Sequence, residues 1–510
     1  MSGFIRHGAD ISADVEETCD VLIVGSGAGG AVLAAGLVEA GLDVVMLEAG
    51  GAFTRKDFDL HEQSAYPAMY QDRGTRATAD LAISILQGRT VGGSTTVNWT
   101  TCYRTPGRIL EHWRKVHGIE GLDAESLRPH FEAVEARLNI NKWPAERANP
   151  NNRAVLEGAA ALGWEADSTR RNVKGCANSG YCGVGCPVDG KQAMHVTYLP
   201  DAVAGGLRLY ADTEARRVIV EGGRAVRVEA TVLDRTTSRE LGRRVVVKPK
   251  VLALSGGAIN TPALLLRSGL DAGGKVGRRT FIHPVVGMAG LHDTPINGFW
   301  GAPQSAASHQ FIDRGADKMG FFMEAAPVHP MLIALGTGGF GAPHAAFMEQ
   351  LPNATALLAL CVDGLVPGDD GGTVSLRGDG RIRVDYPVGP ALEEGFKAAH
   401  KALAELTLAS GARQAISMHA DPIPMGSPAD LGLLDSARYG AHEHGIFTAH
   451  QMGGCGMGAD GVVDSRHRFR GVDNLFVVDG SVLPTALGVN PSQTIYGLAH
   501  RARQFVAGAV

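Results

Sequence analysis

The chain has 510 residues, 45% of them hydrophobic, with 48 Lys and Arg against 53 Asp and Glu for a formal charge of −5. That is ample material for a large core in two to four domains, and the mildly acidic balance without a basic run argues against a nucleic-acid partner. No stretch reaches the roughly 18 unbroken apolar residues of a membrane span and the first residues lack a secretory apolar core, so no membrane span and a cytoplasmic location are expected.

In chain order, residues 19–24 (CDVLIV) predict a buried parallel strand, followed by a glycine turn (GSGAGG) and a helix over 31–41. Gly25, Gly27 and Gly30, with Ser26, Ala28 and Gly29 between them, have the G-x-G-x-x-G spacing. The first glycine permits the tight turn, the second lets a pyrophosphate approach the backbone, and the third lets helix and strand pack closely. A second strand over 43–47 ends at Glu48, followed by Ala49. A carboxylate there can accept hydrogen bonds from ribose hydroxyls and argues against a 2′-phosphate. This motif does not separate NAD from FAD. The segment 88–99 (GRTVGGSTTVNW) adds a second glycine-rich stretch, in which Gly92 and Gly93 permit backbone approach to a flat ring system and a second phosphate.

Seven cysteines is an odd count, and Cys19 and Cys361 lie in apolar runs, so a disulfide framework is not expected. Cys176, Cys182 and Cys186 nevertheless fall within eleven residues (CANSGYCGVGC), and Gly180, Gly183 and Gly185 let that loop curl so that three thiolates could converge. A metal centre and a tight loop of reduced cysteines both fit; zinc would need a fourth ligand, for which His195 is the nearest candidate. The apolar stretch 325–364 reads as core in preference to a substrate tunnel. Residues 372–388 predict a hairpin turning near Asp379–Gly380, and an amphipathic helix runs from Pro390 to a stop at Gly411. Strands followed by helices fit an antiparallel sheet covered by helices on one side. Near the carboxyl terminus His450 opens a glycine-rich loop (HQMGGCGMG) in which Cys455 reads as a buried thiol. A strand then runs to an Asp479–Gly480 turn, and a helix opens at Pro491 after Asn490. Its amino terminus suits negative charge building on a reduced flavin ring.

Four motifs in order, GSGAGG…LEAG, GRTVGGSTTVN, GGAINTPALLLRSG (256–269) and HQMGGC…VVDGSVLPTALGVNPSQT (450–494), resemble those of the glucose-methanol-choline (GMC) oxidoreductases and span nearly the whole chain. Departures are Cys102, where the second motif normally carries an aromatic residue or alanine, and Asp271, where a glycine usually closes the third. The resemblance implies an α/β protein of GMC type, with a Rossmann-like FAD-binding domain and a discontinuous α+β substrate domain. The FAD-binding parts would be 15–110, 180–290 and 440–510. Residues 111–179 would form a substrate-domain or lid segment with the start of the cysteine loop, and 291–439 the substrate-binding domain. It implies FAD contacts from the first motif residues named above, from Gly88, Arg89, Val91, Gly92, Gly93, Ser94 and Asn98, from Gly257, and from Asp479, Gly480, Asn490, Pro491 and Thr494.

It also implies that His450 is the base for a hydroxyl proton while hydride leaves to the flavin, with Asn490 donating to the developing alkoxide. The variants at both positions are similar to those of cholesterol oxidases and long-chain alcohol oxidases. The small-molecule substrate would be a hydrophobic or moderately polar alcohol, and the electron acceptor oxygen or a redox partner. Some flavoprotein dehydrogenases carry a three-iron cluster on a similar cysteine loop, so Cys176, Cys182 and Cys186 are candidate ligands of a [3Fe-4S] centre. A lyase using the same fold, which cleaves cyanohydrins, is the alternative reaction class. His283 matches a family loop and reads as structural.

Overall fold

The computed structural model describes residues 3–510. Two large sheets, a four-stranded one and a two-stranded ribbon of Ile140–Lys142 with Arg170–Asn172 make up the β structure. The first has the order Phe4–Arg6, Arg208–Tyr210, Val44–Leu47, Val15–Val24, Glu240–Leu254, Arg224–Leu233, Thr213–Glu221, and Leu475–Val477 pairs with Glu240–Leu254. Its centre is parallel: Val21–Val24 pairs with Val44–Leu47 on one side and Val251–Leu254 on the other. These strands are continuous apolar runs because helices cover both faces. The helix Ala28–Glu39 begins three residues earlier than its apolar pattern predicts, because Gly27 serves as its cap. Its small residues lie buried against the helix Ser492–Ala507.

The second sheet has the order Pro424–Met425, Gln414–Ser417, Val285–Leu291, Ala354–Cys361, Phe321–Ala325, Ala306–Ser308, Asp167–Ser168, and Ile446–Thr448 bridges Val285–Leu291 to Ile83–Ile85. Its central strands are antiparallel. Alternation sorts their side chains: Leu357, Ala359 and Cys361 join the cluster under the helix Pro390–Ala409, whereas Leu358 and Leu360 turn the other way, toward the cavity described below. The boundary expected at residue 290 therefore falls inside a strand of this sheet.

The hairpin is found where expected, as Gly372–Leu376 and Ile382–Asp385, but not in the second sheet. It pairs with Arg278–Phe281, which in turn pairs with Met452–Gly453. Val374 and Val384 pack on Ile259 and Ala263, so the hairpin's apolar face is buried by the helix Gly257–Arg267. The stretch 325–364 also divides. Ala354–Cys361 is buried core, but the helices Pro330–Gly336 and Ala342–Glu349 contain no buried residue, and Leu335 and Phe340 are 77% and 89% exposed. Among the described residues no helix is long and apolar enough to cross a membrane.

Candidate active site

The two large sheets meet over a cavity of about 1000 Å³. One end is built of backbone. Gly25, Gly27, Ala28 and Gly29 line it, as do Glu48, Ala49, Gly88, Arg89, Gly93, Ser94 and Asn98 from the strand end and the second glycine segment. Gly257, Asp479, Gly480, Asn490 and Pro491 close it from the carboxyl-terminal side. The amino termini of two helices, Ala28–Glu39 and Ser492–Ala507, open into this one space with no side-chain cap. First-turn N–H groups lack intrahelical partners and favour negative charge.

The glycines differ in what they do. A Cβ on Gly30 would lie 2.0 Å from the Gly25 carbonyl oxygen, and on Gly29 1.8 Å from that of Val478, so those two serve packing. A Cβ on Gly27 meets nothing nearer than the Gly93 Cα at 3.7 Å and would project into the cavity. Two buried polar atoms on the wall, Asn98 Oδ1 and Trp99 Nε1, have no protein partner. The cradle that a Cβ would fill, the two open helix ends and the unpartnered wall atoms fit a dinucleotide such as FAD.

Five of the expected contact residues stand behind this wall, not in it. Ser26 bridges the glycine segments: its hydroxyl donates to Glu48 Oε2 at 2.7 Å and accepts from the Gly92 N–H at 3.0 Å. Gly30 is packed as above. Val91 is 3% exposed and belongs to the core, and Gly92 supplies the left-handed turn at φ +94°. The Thr494 hydroxyl is paired with Thr105 at 2.8 Å. Glu48 accepts from the Ser26 and Gly50 N–H groups as well, which leaves part of its carboxylate for a hydroxyl from the cavity. Burial pushes its carboxyl up. Asp479 clamps two turns together, accepting from the Gly257 N–H at 2.8 Å and the Ser481 N–H at 2.8 Å.

Beside this carboxyl-terminal wall the cavity holds His450, whose Nε2 lies 3.3 Å from Asn490 Nδ2. Sequence reasoning missed two groups that act on this pair. His283 Nδ1 lies 3.1 Å from His450 Nδ1, and His283 Nε2 accepts the Gly488 N–H at 3.2 Å. The small sheet creates this contact by pairing Phe281 with Met452. His283 stands at φ +44°, a conformation held by the buried Asp363 carboxylate, which accepts the N–H groups of Ile282 and His283 at 2.8 and 3.0 Å. Burial pushes Asp363 up to about 7. The second missed group is Glu324, fully buried, 3.5 Å from Asn490 and pushed up to about 8 by burial. The one signal for it is a lone carboxylate inside the apolar strand Phe321–Ala325.

The proton count along this line is constrained. Burial holds His450 down at about 4 and His283 well below its ordinary value, so both rings are neutral at pH 7 and carry two lone pairs between them. The Gly488 N–H takes one at His283 Nε2. His283 Nδ1–H then donates to His450 Nδ1, which takes the other, so His450 Nε2 bears hydrogen. The Asn490 amide satisfies it by presenting Oδ1, which is otherwise buried without a partner.

Of the cysteine loop, Cys182 is buried and Cys176 and Cys186 are half-buried, all as free thiols. The backbone N–H groups of Asn178 and Lys191 donate to Cys176 and Cys186, each at 3.4 Å. Among the described residues the three sulfurs do not gather within the 4.8 Å that a single ion would span, and His195, the expected fourth zinc ligand, turns instead to Thr96, at 3.1 Å. The loop is joined to the cavity wall by Lys191, whose buried ammonium donates to the carbonyls of Thr96, Asn98 and Cys182 at 2.5, 3.1 and 2.7 Å.

The family model of the GMC oxidoreductases matches residues 66–285 and 367–499. An uncharacterized GMC-type oxidoreductase of Mycobacterium tuberculosis is 34% identical over 490 residues, covering 94% of this chain and 74% of its own. A long-chain-alcohol oxidase of Arabidopsis thaliana is 29% identical, covering 97% and 69%. Among solved structures, pyridoxine 4-oxidase from Mesorbium loti superimposes with a TM-score of 0.72 at 22% identity over 96% of this chain and 99% of that one.

The glycine geometry predicts separable defects. Gly27→Ala should melt within a degree or two of the parent as apoprotein but purify with much less flavin, whereas Gly30→Ala should lose about 3 kcal/mol of stability through its clash. Full flavin content in Gly27→Ala would show that nothing approaches that backbone.

Proposed function

The chain belongs to the GMC oxidoreductase family of FAD-dependent enzymes, and from that premise we propose that it oxidises an alcohol with a hydrophobic or moderately polar body to the carbonyl compound. The observation that carries this reading is the position of the His450–Asn490 pair. It lies where the glycine-built end of the cavity meets a wall of Val285, Leu358, Leu360 and Phe447 from the second sheet. The relatives named as long-chain-alcohol oxidases support an apolar substrate body. FAD, when bound, supplies the acceptor for the hydride that leaves the alcohol carbon. Gly27 to Gly29 and the adjoining helix end would hold its pyrophosphate, Glu48 a ribose, and the Gly88–Asn98 segment with Gly257, Asp479 and Pro491 the remainder.

The protein's own groups manage the proton. For His450 Nε2 to take the hydroxyl proton it must be bare, so Nδ1 carries the hydrogen and donates to His283, which releases the Gly488 N–H. The base form of His450 is thus the opposite of the resting tautomer, in which the Gly488 N–H and His283 Nδ1–H keep hydrogen on His450 Nε2. His283 must carry its own hydrogen on Nε2 for His450 to act; that makes it a positioning residue, in place of the purely structural role read from sequence. Asn490 donates to the developing alkoxide. Glu324 controls that donor. As an acid at neutral pH it supports Asn490 Oδ1 and leaves the amide hydrogens to the substrate; ionised above about 8, it claims them.

One further observation favours a second reading, in which electrons leave through a centre on the cysteine loop. Arg171 is fully buried with Nε and Nη1 unpartnered, its Nη2 lies 3.9 Å from Cys182 Sγ, and Lys191 lies beside it. Among the described residues neither cation pairs with a carboxylate. Uncompensated positive charge around three sulfurs that accept N–H groups suits the anionic thiolates of an iron–sulfur centre such as [3Fe-4S], serving a redox partner in place of oxygen. Anaerobically purified protein should then carry iron in stoichiometric excess over trace; less than about 0.2 per chain removes this reading.

For the main reading, stopped-flow reduction of the flavin by a medium-chain primary alcohol is the test. His450→Ala should retain FAD and reduce about 100-fold or more slowly, and an unchanged rate would remove its role as base. The parent's reduction rate should fall as pH rises through about 8, the value to which burial raises Glu324. Glu324→Gln, whose amide donates at every pH, should abolish that fall. The same decline in the variant would assign it to another group.

A further inference from the structure

A second cluster of titratable groups lies outside the cavity, on the helix-covered side of the second sheet. His400 comes from the helix Pro390–Ala409, His419 follows the strand Gln414–Ser417, and His444 precedes the strand Ile446–Thr448. His419 and His444 face each other across a backbone bridge. All three are buried, at 0%, 4% and 5% exposure, and offer one ring nitrogen each within 4.8 Å of the others.

As they stand, the three rings leave hydrogen-bonding capacity unused. His444 Nε2 lies 3.0 Å from His400 Nε2, and that contact consumes one hydrogen and one lone pair. His419 Nε2 and His444 Nδ1 have no partner at all. Desolvated polar atoms without partners are uncommon and call for a reason. The outer nitrogens of His400 and His419, by contrast, are well placed. His400 Nδ1 lies 3.2 Å from the Phe396 carbonyl and 2.9 Å from the Tyr439 hydroxyl. His419 Nδ1 lies 2.9 Å from Ser417 Oγ, which itself accepts the Ile423 N–H. An Nδ1–H engaged with an oxygen fixes the tautomer that turns a bare Nε2 inward, as in metal sites whose histidines are oriented by outer partners.

We propose that His400, His419 and His444 bind one divalent transition-metal ion of the zinc class, with a solvent-derived fourth ligand. Three neutral imidazoles without a carboxylate select zinc, copper or nickel over calcium or magnesium. Metal–nitrogen bonds of about 2.0–2.1 Å set tetrahedral ligand atoms roughly 3.3 Å apart, close to the His400–His444 spacing. The ion would fasten the helix and the strand Gln414–Ser417 to the segment that reaches His450 six residues after His444.

The test uses the flavin-loaded full chain with any affinity tag removed, stripped by chelation and titrated with zinc or cobalt. Uptake near one ion per chain, a higher melting midpoint with zinc, and the visible bands of tetrahedral cobalt are expected. His419→Gln should retain its flavin, showing that it is folded, and lose at least fivefold in zinc uptake. If the stripped parent takes up less than about 0.2 zinc per chain and its midpoint does not move, the rings are an aromatic packing cluster with Tyr439 and the site does not exist. Unchanged uptake in a folded His419→Gln would place the ion elsewhere and overturn the assignment equally. Should that variant fail to fold, titration of the parent decides.

Discussion

Two stretches of backbone touch where side chains are missing, and the cavity depends on that contact. A Cβ on Gly93 would lie 2.7 Å from the Gly27 Cα, so the second glycine segment can lie across the first only because Gly93 is bare. Ser26 then joins the end of one strand, through Glu48, to the Gly92 N–H of the crossing segment. Lys191 extends the junction outward, collecting carbonyls from the crossing segment and from the cysteine loop. A buried ammonium is costly unless fully hydrogen-bonded, and burial indeed lowers it to about 8. The charge is retained because three oxygens converge on it.

The reacting corner rests on a different economy. Asp363, Glu324 and Asp479 are buried carboxyls whose ionisation is disfavoured by desolvation; Asp479 lines the cavity, Glu324 touches its wall at Asn490, and Asp363 reaches it through His283 and His450. Asp363 fixes the turn that aims His283, Glu324 faces Asn490, and Asp479 locks the turns at Gly257 and Gly480. For Asp363 and Asp479 such placement gives direction without flexibility, since a short side chain held by backbone N–H groups has few alternative rotamers. His450 itself is half-buried on the cavity wall, and its surroundings hold it neutral at pH 7.

Local motifs made the nucleotide end legible. Strand, glycine turn, helix and terminal acid are consecutive in the chain, and each glycine's role follows from its spacing. His450 and Asn490 were legible for the same reason, as members of recognisable segments. His283 was visible but its partner was not, because 167 residues separate it from His450 and only the pairing of Phe281 with Met452 joins them. Glu324 was hidden further, since a single carboxylate in an apolar strand carries no spacing to read. The hairpin shows the complementary failure: its turn chemistry located it correctly, while its sheet partner was decided by which apolar surface, that of the helix Gly257–Arg267, remained uncovered. The five residues displaced behind the cavity wall share this origin, because sequence reports that a segment approaches a ligand, not which of its side chains face it.

The parallel sheet draws its central strands from residues 15–24, 44–47, 240–254 and finally 475–477. Leu475–Val477 docks against Leu252–Leu254, more than two hundred residues earlier, and is followed by the helix that packs on Ala28–Glu39. During synthesis the edge formed by Leu252–Leu254 waits, unpaired and apolar, until residues 475–477 have left the ribosome. Closing so long a loop is slow, and an exposed strand edge invites pairing with other chains. Until that strand arrives, the apolar edge at Leu252–Leu254 is a point at which the unfinished chain can associate with others.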